Sequence, residues 1–373
     1  MNTQAAAADV QPSQASFPKL NGYDYIELYV GNAHQAAHFY RTAWGFTPVA
    51  YAGLETGVRD RVSIVVEQGR IRLVLTAAQG PDGPIADHVK LHGDGVKDIA
   101  FLVDDVEEVF NQVVDAGARP VTPPVVLKDG DHAIRKATVA AYGDTVHSFV
   151  ERGDYTGPFL PGYQAARAYS PSTSTGLKEI DHVAVSAEAG TLEELIEFYR
   201  HVFGFHQSHQ EDVATEYSAM NSKVVQNHTG TIKFPIIEPA PGKRKSQIEE
   251  YLAYYGGSGV QHIGLLSEDI VASVQTLRDN YVEFMQTPGT YYDLLEDRIG
   301  KIEEDVESLR ELSILIDRDD WGYLMQTFTR PLHNRPTLFF EIIQRKNARG
   351  FGAGNIKALF EALEREQLSR GNL

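Results

Sequence analysis

Cysteine is absent from the 373-residue chain. This excludes disulfides, zinc sites built on thiolates and cysteine nucleophiles, so any bound metal must be held by His, Asp or Glu. Basic residues are also scarce, with 34 Lys and Arg against 51 Asp and Glu, which gives a formal charge of −17. Such an acidic balance argues against a nucleic-acid partner.

Long apolar runs are missing as well. No stretch approaches the roughly 18 residues of a membrane span, so we expect no membrane partner. Residues 1–16 (MNTQAAAADVQPSQAS) lack the positively charged start and the apolar core of a secretory signal, and we expect them to form a disordered tail. The hydrophobic content of 42% is ample for buried cores, and the length suits about two domains. These features predict a soluble cytoplasmic protein.

The chain contains an internal repeat. Residues 38–46 (HFYRTAWGF) match residues 197–205 (EFYRHVFGF), and residues 94–102 (DGVKDIAFL) match residues 258–266 (SGVQHIGLL). In each half, a strand is followed by a helix and then by further strands, and this β-α-β-β pattern occurs twice. The repeat therefore predicts two homologous domains.

The boundaries of these domains follow from composition. Residues 155–175 are rich in Tyr, Pro, Ser and Thr, which is typical of a linker. We therefore expect an N-terminal domain over residues 17–154 and a C-terminal domain over residues 176–373. A glycine-rich segment, residues 350–355, precedes a predicted helix and could close over a pocket, with Asn355 as the helix cap.

Three polar residues interrupt strand-like apolar stretches in the second half. They are His182 in IDHVAV, His262 in GVQHI and Glu341 in LFFEII. A carboxylate in such a run is costly to bury unless it is paired or bound to a cation. Two imidazoles and one carboxylate form the ligand set of a mononuclear non-haem Fe(II) site with open coordination positions.

The first half acts as an internal control for these three residues. At the matching positions it has Tyr25, Asp98 and Ser148. All three candidate ligands are replaced together in one copy and present together in the other, which packing alone does not explain. We therefore predict one Fe(II) per chain in the second half and a metal-free first half.

Two other histidine pairs have the i,i+4 spacing of metal ligands on a helix, His34 with His38 and His88 with His92. Neither pair has an obvious third ligand in the sequence. Exposed helix faces explain both pairs better than metal binding does.

Several amides and aromatic residues lie near the predicted ligands: Gln247, Gln261, Gln326, Phe328, Phe339 and Phe351. A mostly apolar cavity with a few directed amides suits an aromatic substrate that has one polar end. The alternative, that these are ordinary strand and core residues, has about equal weight for each residue alone.

Four stretches carry a resemblance to a known family: residues 245–251 (KSQIEEY), 259–262 (GVQH), 335–345 (RPTLFFEIIQR) and 350–360. From about residue 20 onward the chain resembles the 4-hydroxyphenylpyruvate-using dioxygenases of the vicinal-oxygen-chelate fold. The resemblance implies an α+β fold in which tandem βαβββ modules form two open-barrel domains. It also implies His182, His262 and Glu341 as the iron ligands, with 4-hydroxyphenylpyruvate and O2 as the reactants. The implied substrate pocket is lined by Ser222, Gln247, Gln261, Gln326, Phe328, Phe339, Phe351 and Asn355.

This family has two branches that share a substrate and differ in product. The dioxygenase branch, which makes homogentisate, usually has Asn in the segment PIIEP at residues 235–239 and Phe at position 356. This chain has Ile237 and Ile356, which we also assign to the pocket, and isoleucine is typical of the synthase branch. In contrast, Pro235 and residues 370–373 (RGNL) resemble the dioxygenase branch. The pocket positions favour 4-hydroxymandelate synthase, with homogentisate formation as the alternative.

A metal-free binding protein on the same fold is an alternative of a different class, as are ring-cleaving dioxygenases and glyoxalase-type enzymes. A functional iron requirement would separate the binding protein from the enzymes. The sequence leaves open whether the chain forms a homo-oligomer.

Overall fold

The computed structural model describes residues 17–167 and 173–371. The predicted tail and residues 168–172 of the predicted linker lie outside this range. Within it, no helix is long and apolar enough to cross a lipid bilayer.

The first half contains two strand–helix–three-strand units joined by a helix. Its elements are β1 (Tyr23–Tyr29), α1 (Ala33–Thr42), β2 (Thr47–Ala52), β3 (Arg61–Gln68), β4 (Ile71–Ala78), α2 (Pro84–His92), β5 (Gly95–Leu102), α3 (Val106–Asp115), β6 (Pro120–Asp129), β7 (His132–Ala140) and β8 (Val146–Glu151), followed by the short β9 (Gln164–Ala165).

The second half repeats this order and adds helices. Its elements are β10 (Leu177–Ser186), α4 (Leu192–Phe203), β11 (His206–Ala214), β12 (Ala219–Gln226), β13 (Lys233–Ala240), α5 (Gln247–Tyr255), β14 (Gly259–Ser267), α6 (Ile270–Asp279), α7 (Thr290–Asp293), α8 (Leu295–Ile299), α9 (Val306–Leu312), β15 (Leu315–Arg318), β16 (Tyr323–Phe328), β17 (Phe339–Lys346) and α10 (Ala353–Ser369).

Each half forms one mixed sheet with the two modules side by side. The strand orders are β6-β7-β8-β5-β1-β4-β3-β2-β9 and β11-β12-β13-β10-β14-β17-β16-β15. The predicted α+β class with tandem βαβββ modules is confirmed. The β-α-β-β pattern seen in the sequence missed β2 and β6. The edge strand β6 (PVTPPVVLKD) has three prolines and is largely exposed, so it lacks the apolar alternation that identifies a strand.

The central strands of the two sheets pair in the same register, so positions in one half can be matched to positions in the other. In the second sheet, His182 pairs with Gly264 across β10 and β14, and Gly264 pairs with Glu341 across β14 and β17. In the first sheet the same places are taken by Tyr25, Ala100 and Ser148 on β1, β5 and β8. The residues matched by the sequence repeat therefore occupy equivalent strand positions.

The two halves share one hydrophobic core. Trp44 of the first half packs on Phe340 of the second, with ring centroids 4.7 Å apart. His147 lies within hydrogen-bonding distance of the Tyr199 hydroxyl across the same boundary, at 2.8 Å from Nε2 to Oη. The turn between β3 and β4 also contacts the second half. There Gly69 has φ +58°, and an added Cβ would lie 2.4 Å from the carbonyl oxygen of Lys178.

Candidate metal centre and its cavity

Three adjacent strands bring the predicted ligands together. His182 on β10, His262 on β14 and Glu341 on β17 are all buried. Nε2 of His182 lies 3.4 Å from Nε2 of His262 and 3.1 Å from Oε2 of Glu341. The third separation, from His262 Nε2 to Glu341 Oε2, is 3.4 Å. The three side chains therefore converge on one point from three strands.

Hydrogen bonds on the far side of each imidazole determine which nitrogen faces that point. Nδ1 of His182 lies 2.9 Å from a carboxylate oxygen of Asp181, which can only accept, so Nδ1 carries the proton. Nδ1 of His262 lies 3.0 Å from the amide oxygen of Gln261, whose Nε2 donates to Oε1 of Gln247. Each imidazole therefore directs the lone pair of Nε2 toward the centre, as in metal-ligating histidines.

Buried charge surrounds this centre. Burial alone would raise the pKa of Glu341, but the two histidines outweigh it and lower the pKa to about 2. Burial lowers the pKa of His262, whereas for His182 the carboxylates of Glu341 and Asp181 outweigh burial and raise the pKa. The carboxylate of Glu341 is therefore ionised and attracts a positive charge.

The residues fit a divalent cation. Oε1 of Glu341 is buried with no hydrogen-bond partner in the described part of the chain. A proton between His182 and Glu341 would satisfy one of the three contacts, whereas a cation at the centre would satisfy all three. The separations of 3.1–3.4 Å compare with about 3.0 Å for adjacent ligands on an octahedral ion at ~2.1 Å. His182, His262 and Glu341 would therefore hold Fe(II) after a small contraction.

A buried ion cluster supports His182 from behind. Asp181 accepts two hydrogen bonds of 2.8 Å from the guanidinium of Arg345 and lies 3.3 Å from Nζ of Lys233. Burial would raise the pKa of Asp181, but Arg345, His182 and Lys233 outweigh it and hold the pKa well below its usual value. Arg345 also donates to the carbonyl of Gly350 at 2.6 Å, which ties the glycine-rich segment to the metal centre.

A small cavity of about 50 Å³ opens onto the three ligands. Eight of the ten predicted pocket residues line it: Ser222, Ile237, Gln247, Gln261, Gln326, Phe328, Phe351 and Ile356. Apart from the ligands, its only polar side chains among the described residues are Ser222 and the three glutamines. Oε1 of Gln326 has no partner in this part of the structure, so it is free to bind a ligand.

The other two predicted pocket residues lie outside the cavity wall. Phe339 pairs with His262 in the strand register and stacks on its imidazole, with centroids 4.9 Å apart and planes at 24°. Asn355 does not cap α10, because Gly352 is the N-cap residue. The Asn355 side chain is buried against the hydroxyl of Tyr291 at 2.6 Å instead. Both residues support the wall from behind.

Five further lining residues were missed because they are apolar: Met220, Val224, Pro235, Leu359 and Phe360. Periodicity could have identified them. Met220 and Val224 lie two residues on either side of Ser222 in β12, and Pro235 lies two residues before Ile237 in β13. Leu359 and Phe360 follow Ile356 by three and four residues in α10.

The helix α10 forms one wall of the cavity. Ile356 and Phe360 of this helix pack against Ile237 and Met220 in one apolar cluster. The two isoleucines that distinguish this chain from the usual dioxygenase pattern are therefore close neighbours, and both line the cavity.

Comparisons with known proteins agree with this geometry. Residues 22–142 and 179–324 match the family model of the Glyoxalase/Bleomycin resistance protein/Dioxygenase superfamily. The 4-hydroxyphenylpyruvate dioxygenase of Yarrowia lipolytica is 45% identical over 96% of this chain and 95% of its own length. That of Neurospora crassa is 44% identical over 98% and 95%, respectively.

A solved structure gives the same fold. A triple mutant of 4-hydroxymandelate synthase from Streptomyces coelicolor superimposes with a TM-score of 0.86 at 41% identity, over 93% of this chain and 99% of that chain. The chain belongs to the Glyoxalase/Bleomycin resistance protein/Dioxygenase superfamily and, within it, to the non-haem Fe(II) dioxygenases that use 4-hydroxyphenylpyruvate.

Proposed function

We propose that this enzyme uses O2 to decarboxylate and hydroxylate 4-hydroxyphenylpyruvate, releasing CO2, and that its main product is homogentisate. The observation that carries the substrate assignment is the buried His182–His262–Glu341 triad, which lines an apolar cavity. The curated relatives, at 44–45% identity over nearly the whole chain, support the product. They favour homogentisate over the 4-hydroxymandelate expected from the sequence.

The lining of the cavity accounts for the kind of substrate. Among the described lining residues there is no Arg or Lys, so no side chain offers a positive charge to an organic acid. The carboxylate and keto oxygens of an α-keto acid would therefore have to bind at the metal. When bound, Fe(II) supplies those coordination positions and the activation of O2.

The chain itself contributes orientation and exclusion of water. Phe328 and Phe351 give aromatic walls for the ring, and Ile356, Leu359 and Phe360 of α10 add apolar lining that favours the exclusion of water. Ser222, Gln247 and Gln326 offer hydrogen bonds to the phenol or to the α-keto acid. The N–H at Nδ1 of His182 donates to the carboxylate of Asp181, so this imidazole would bind the metal through Nε2 at every stage of the reaction.

A second candidate product is 4-hydroxymandelate, and one specific observation favours it. Ile237 and Ile356 both line the cavity, where the dioxygenase pattern has an amide and an aromatic ring. Loss of both could shift the ring so that the benzylic carbon, rather than the ring carbon, is oxidised. Small changes in position have large effects on which atom reacts.

Product analysis separates the two candidates. Purified protein is given Fe(II), ascorbate, O2 and 4-hydroxyphenylpyruvate, and the products are separated against authentic standards. Homogentisate is the expected main product. A predominance of 4-hydroxymandelate would overturn the product assignment and leave the substrate intact. Absence of both products with iron bound would overturn the substrate assignment.

The double variant Ile237→Asn with Ile356→Phe tests the second candidate. If these isoleucines steer the reaction, any 4-hydroxymandelate formed by the wild type should fall in the variant in favour of homogentisate. Ile248→Val is a matched control, because Ile248 belongs to the same apolar cluster but does not line the cavity. An unchanged product ratio in the double variant would exclude a steering role. Cytoplasmic location remains a prediction, and the oligomeric state remains open.

A further inference from the structure

A second group of potential ligands lies away from the cavity, at the end of α2. His88 and His92 were expected on an exposed helix face, and this expectation was wrong, since both are buried with 5% and 3% of their surface exposed. The third member, Asp144, comes from the turn between β7 and β8. Nitrogen and carboxylate oxygen atoms of the three residues lie within 4.8 Å of one another.

The hydrogen bonds of His92 place a positive charge at this point. Its Nδ1 lies 2.6 Å from the carbonyl oxygen of Tyr255, an atom that only accepts, so Nδ1 carries a proton. Its Nε2 lies 2.9 Å from a carboxylate oxygen of Asp144. A neutral imidazole would then present a lone pair to a carboxylate, so either a second proton or a metal ion must lie between them.

His88 separates these two explanations. Both of its ring nitrogens are buried without a hydrogen-bond partner in the described residues. A proton on His92 would pair His92 with Asp144 and leave His88 unsatisfied, which is costly in a buried site. A metal ion would use a lone pair of His88 as well.

Gly95 lies beside His88 and Tyr255. A Cβ built on Gly95 would lie 2.9 Å from the ring of Tyr255 and 3.6 Å from Nε2 of His88, so any other residue there would displace the Tyr255 ring that covers the site. The ammonium of Lys97 donates to the backbone carbonyl of Asp144. The ring of Tyr255 stacks on His92 with centroids 4.3 Å apart and closes the site from the second half.

We propose that His88, His92 and Asp144 form a second, structural site for a borderline divalent transition-metal cation of the Zn²⁺ class. Two imidazoles and one carboxylate are a usual ligand set for such ions. Adjacent ligands on a tetrahedral ion lie about 3.3 Å apart, so the carboxylate of Asp144 must move out by a few tenths of an ångström. Because Asp144 is half-exposed, it has the freedom to do so.

The ion would stiffen the first half's side of the joint between the two halves, because all three of its ligands belong to the first half. It would tie α2 to the β7–β8 turn, and the proton on Nδ1 of His92 ties α2 to the end of α5. Arg335 already joins these two helix ends by donating to the carbonyls of Lys90, Leu91 and Tyr254. Since α5 begins at Gln247, which lines the cavity, the site lies at the other end of a helix that borders the metal centre.

The test is a count of metal ions on the iron-loaded protein. The enzyme is dialysed against Zn²⁺, and bound iron and zinc are counted together by mass spectrometry. We expect about one Zn²⁺ per chain with iron retained, and a higher Tm. His88→Phe keeps an aromatic ring in contact with Tyr29 and His92 but removes both ring nitrogens and with them one ligand, so it should lose the zinc and keep the iron.

Two further variants keep the test decisive. Asp144→Asn is made at a half-exposed position, and because Asp144 is a proposed ligand it should weaken zinc binding by more than the roughly 10–100-fold that follows loss of an outer-shell partner. His34→Phe changes the other i,i+4 pair, which is exposed on α1, and should leave the zinc count unchanged. The proposal is overturned if the wild type binds no zinc beyond displaced iron, or if Asp144→Asn and His88→Phe bind zinc as the wild type does.

Discussion

The two halves of the molecule place different groups at the same three strand positions. One half has a cluster of hydrogen-bond acceptors there, and the other has a carboxylate whose hydrogen-bond donors come from the protein. In the second half, His182, His262 and Glu341 direct only acceptor atoms toward their common centre. In the first half, the equivalent places hold Tyr25, Asp98 and Ser148. These residues also come together in the structure, but as a closed hydrogen-bonded group.

Protein donors satisfy the carboxylate of Asp98 in the first half. It accepts from the hydroxyl of Tyr25 at 2.9 Å, from the hydroxyl of Ser148 at 2.6 Å and from the backbone N–H of Ser148 at 3.1 Å. The ammonium of Lys136 lies 3.4 Å from the same carboxylate and donates to Tyr25 at 2.6 Å. Lys136 occupies the strand position that Gln326 has in the second half.

The comparison shows that the same arrangement of strands can balance a buried carboxylate in two ways. The cation can be a side chain of the protein, or it can be a bound metal ion. A lysine at the position of Gln326 neutralises the first centre permanently. In the second half, a neutral amide at that position leaves the charge of Glu341 to be balanced by a bound ion. We therefore propose that the first half is a metal-free partner, in which Lys136 takes the electrostatic role of the metal.

The largest expected effect is a loss of iron and of turnover. It comes from replacing a predicted ligand of the second half with the residue that the first half has at the same position. Glu341→Ser places the counterpart of Ser148 in the iron site and removes its only negative ligand. The drop in kcat/KM should exceed the roughly 10–100-fold loss that follows removal of an outer-shell partner. Iron content and turnover are measured together. Ser148→Ala in the first half is the control, and iron retained by Glu341→Ser would contradict the ligand assignment.

The next effect tests the ion cluster behind His182. Asp181→Asn keeps the size of the side chain but leaves Arg345 and Lys233 without their carboxylate. Iron affinity should fall about 10–100-fold, and the free energy of unfolding should fall by about 3–5 kcal/mol because buried charges lose their partner. Iron titration and urea unfolding measure the two effects. Asp104→Asn, in the exposed pair with Lys19, should change neither.

A smaller effect is expected from removing the cation of the first half. Lys136→Met should lower the free energy of unfolding by about 1–3 kcal/mol, because Asp98 loses a charged neighbour but keeps three hydrogen bonds. Iron content and kcat should remain within about twofold of the wild type. Urea unfolding and steady-state kinetics test this, with Lys178→Met on the exposed ion pair with Glu268 as the control. Loss of iron from Lys136→Met would show that the two centres are coupled.

The smallest expected effect is on the pH dependence of stability. It comes from the residue that precedes Ser148 or Glu341 in its strand and faces the core shared by the two halves. The first half has His147 where the second half has the apolar Phe340. Burial lowers the pKa of His147 to about 4. The unfolded chain therefore binds a proton between pH 6.5 and 4 that the folded chain does not, so this contribution to stability is lost as the pH falls through that range. The slope is at most about 1.4 kcal/mol per pH unit.

His147→Phe gives the first half the residue of the second and should flatten this dependence. The free energy of unfolding of the wild type, relative to that of the variant, should fall as the pH is lowered from 7 to 4.5. Measurement at pH 8 isolates the cost of losing the hydrogen bond to Tyr199. A difference that stays constant with pH would show that His147 does not cause the dependence.

Much of the site could be predicted from the sequence because the repeat supplied a comparison within one chain. A charge in an apolar strand has few physical explanations, and the joint replacement of three residues pointed to a single ion. The same logic could not identify Met220, Val224, Pro235, Leu359 and Phe360, because an apolar residue at a cavity wall resembles any core residue. The family resemblance placed Phe339 and Asn355 at the cavity wall, although both lie behind it.

The sequence by itself determined the family and the fold class and predicted the ligand set, because the repeat, the family's motifs and the polar interruptions of apolar strands can be read from the order of the residues. Tertiary structure alone decided which nitrogen of each imidazole faces the centre, since that depends on Asp181 and Gln261. It alone brought Lys136 to Asp98 in the first half. It also buried His88 and His92 beside Asp144, because these contacts join residues that are distant in the chain and become neighbours only when sheets and helices pack.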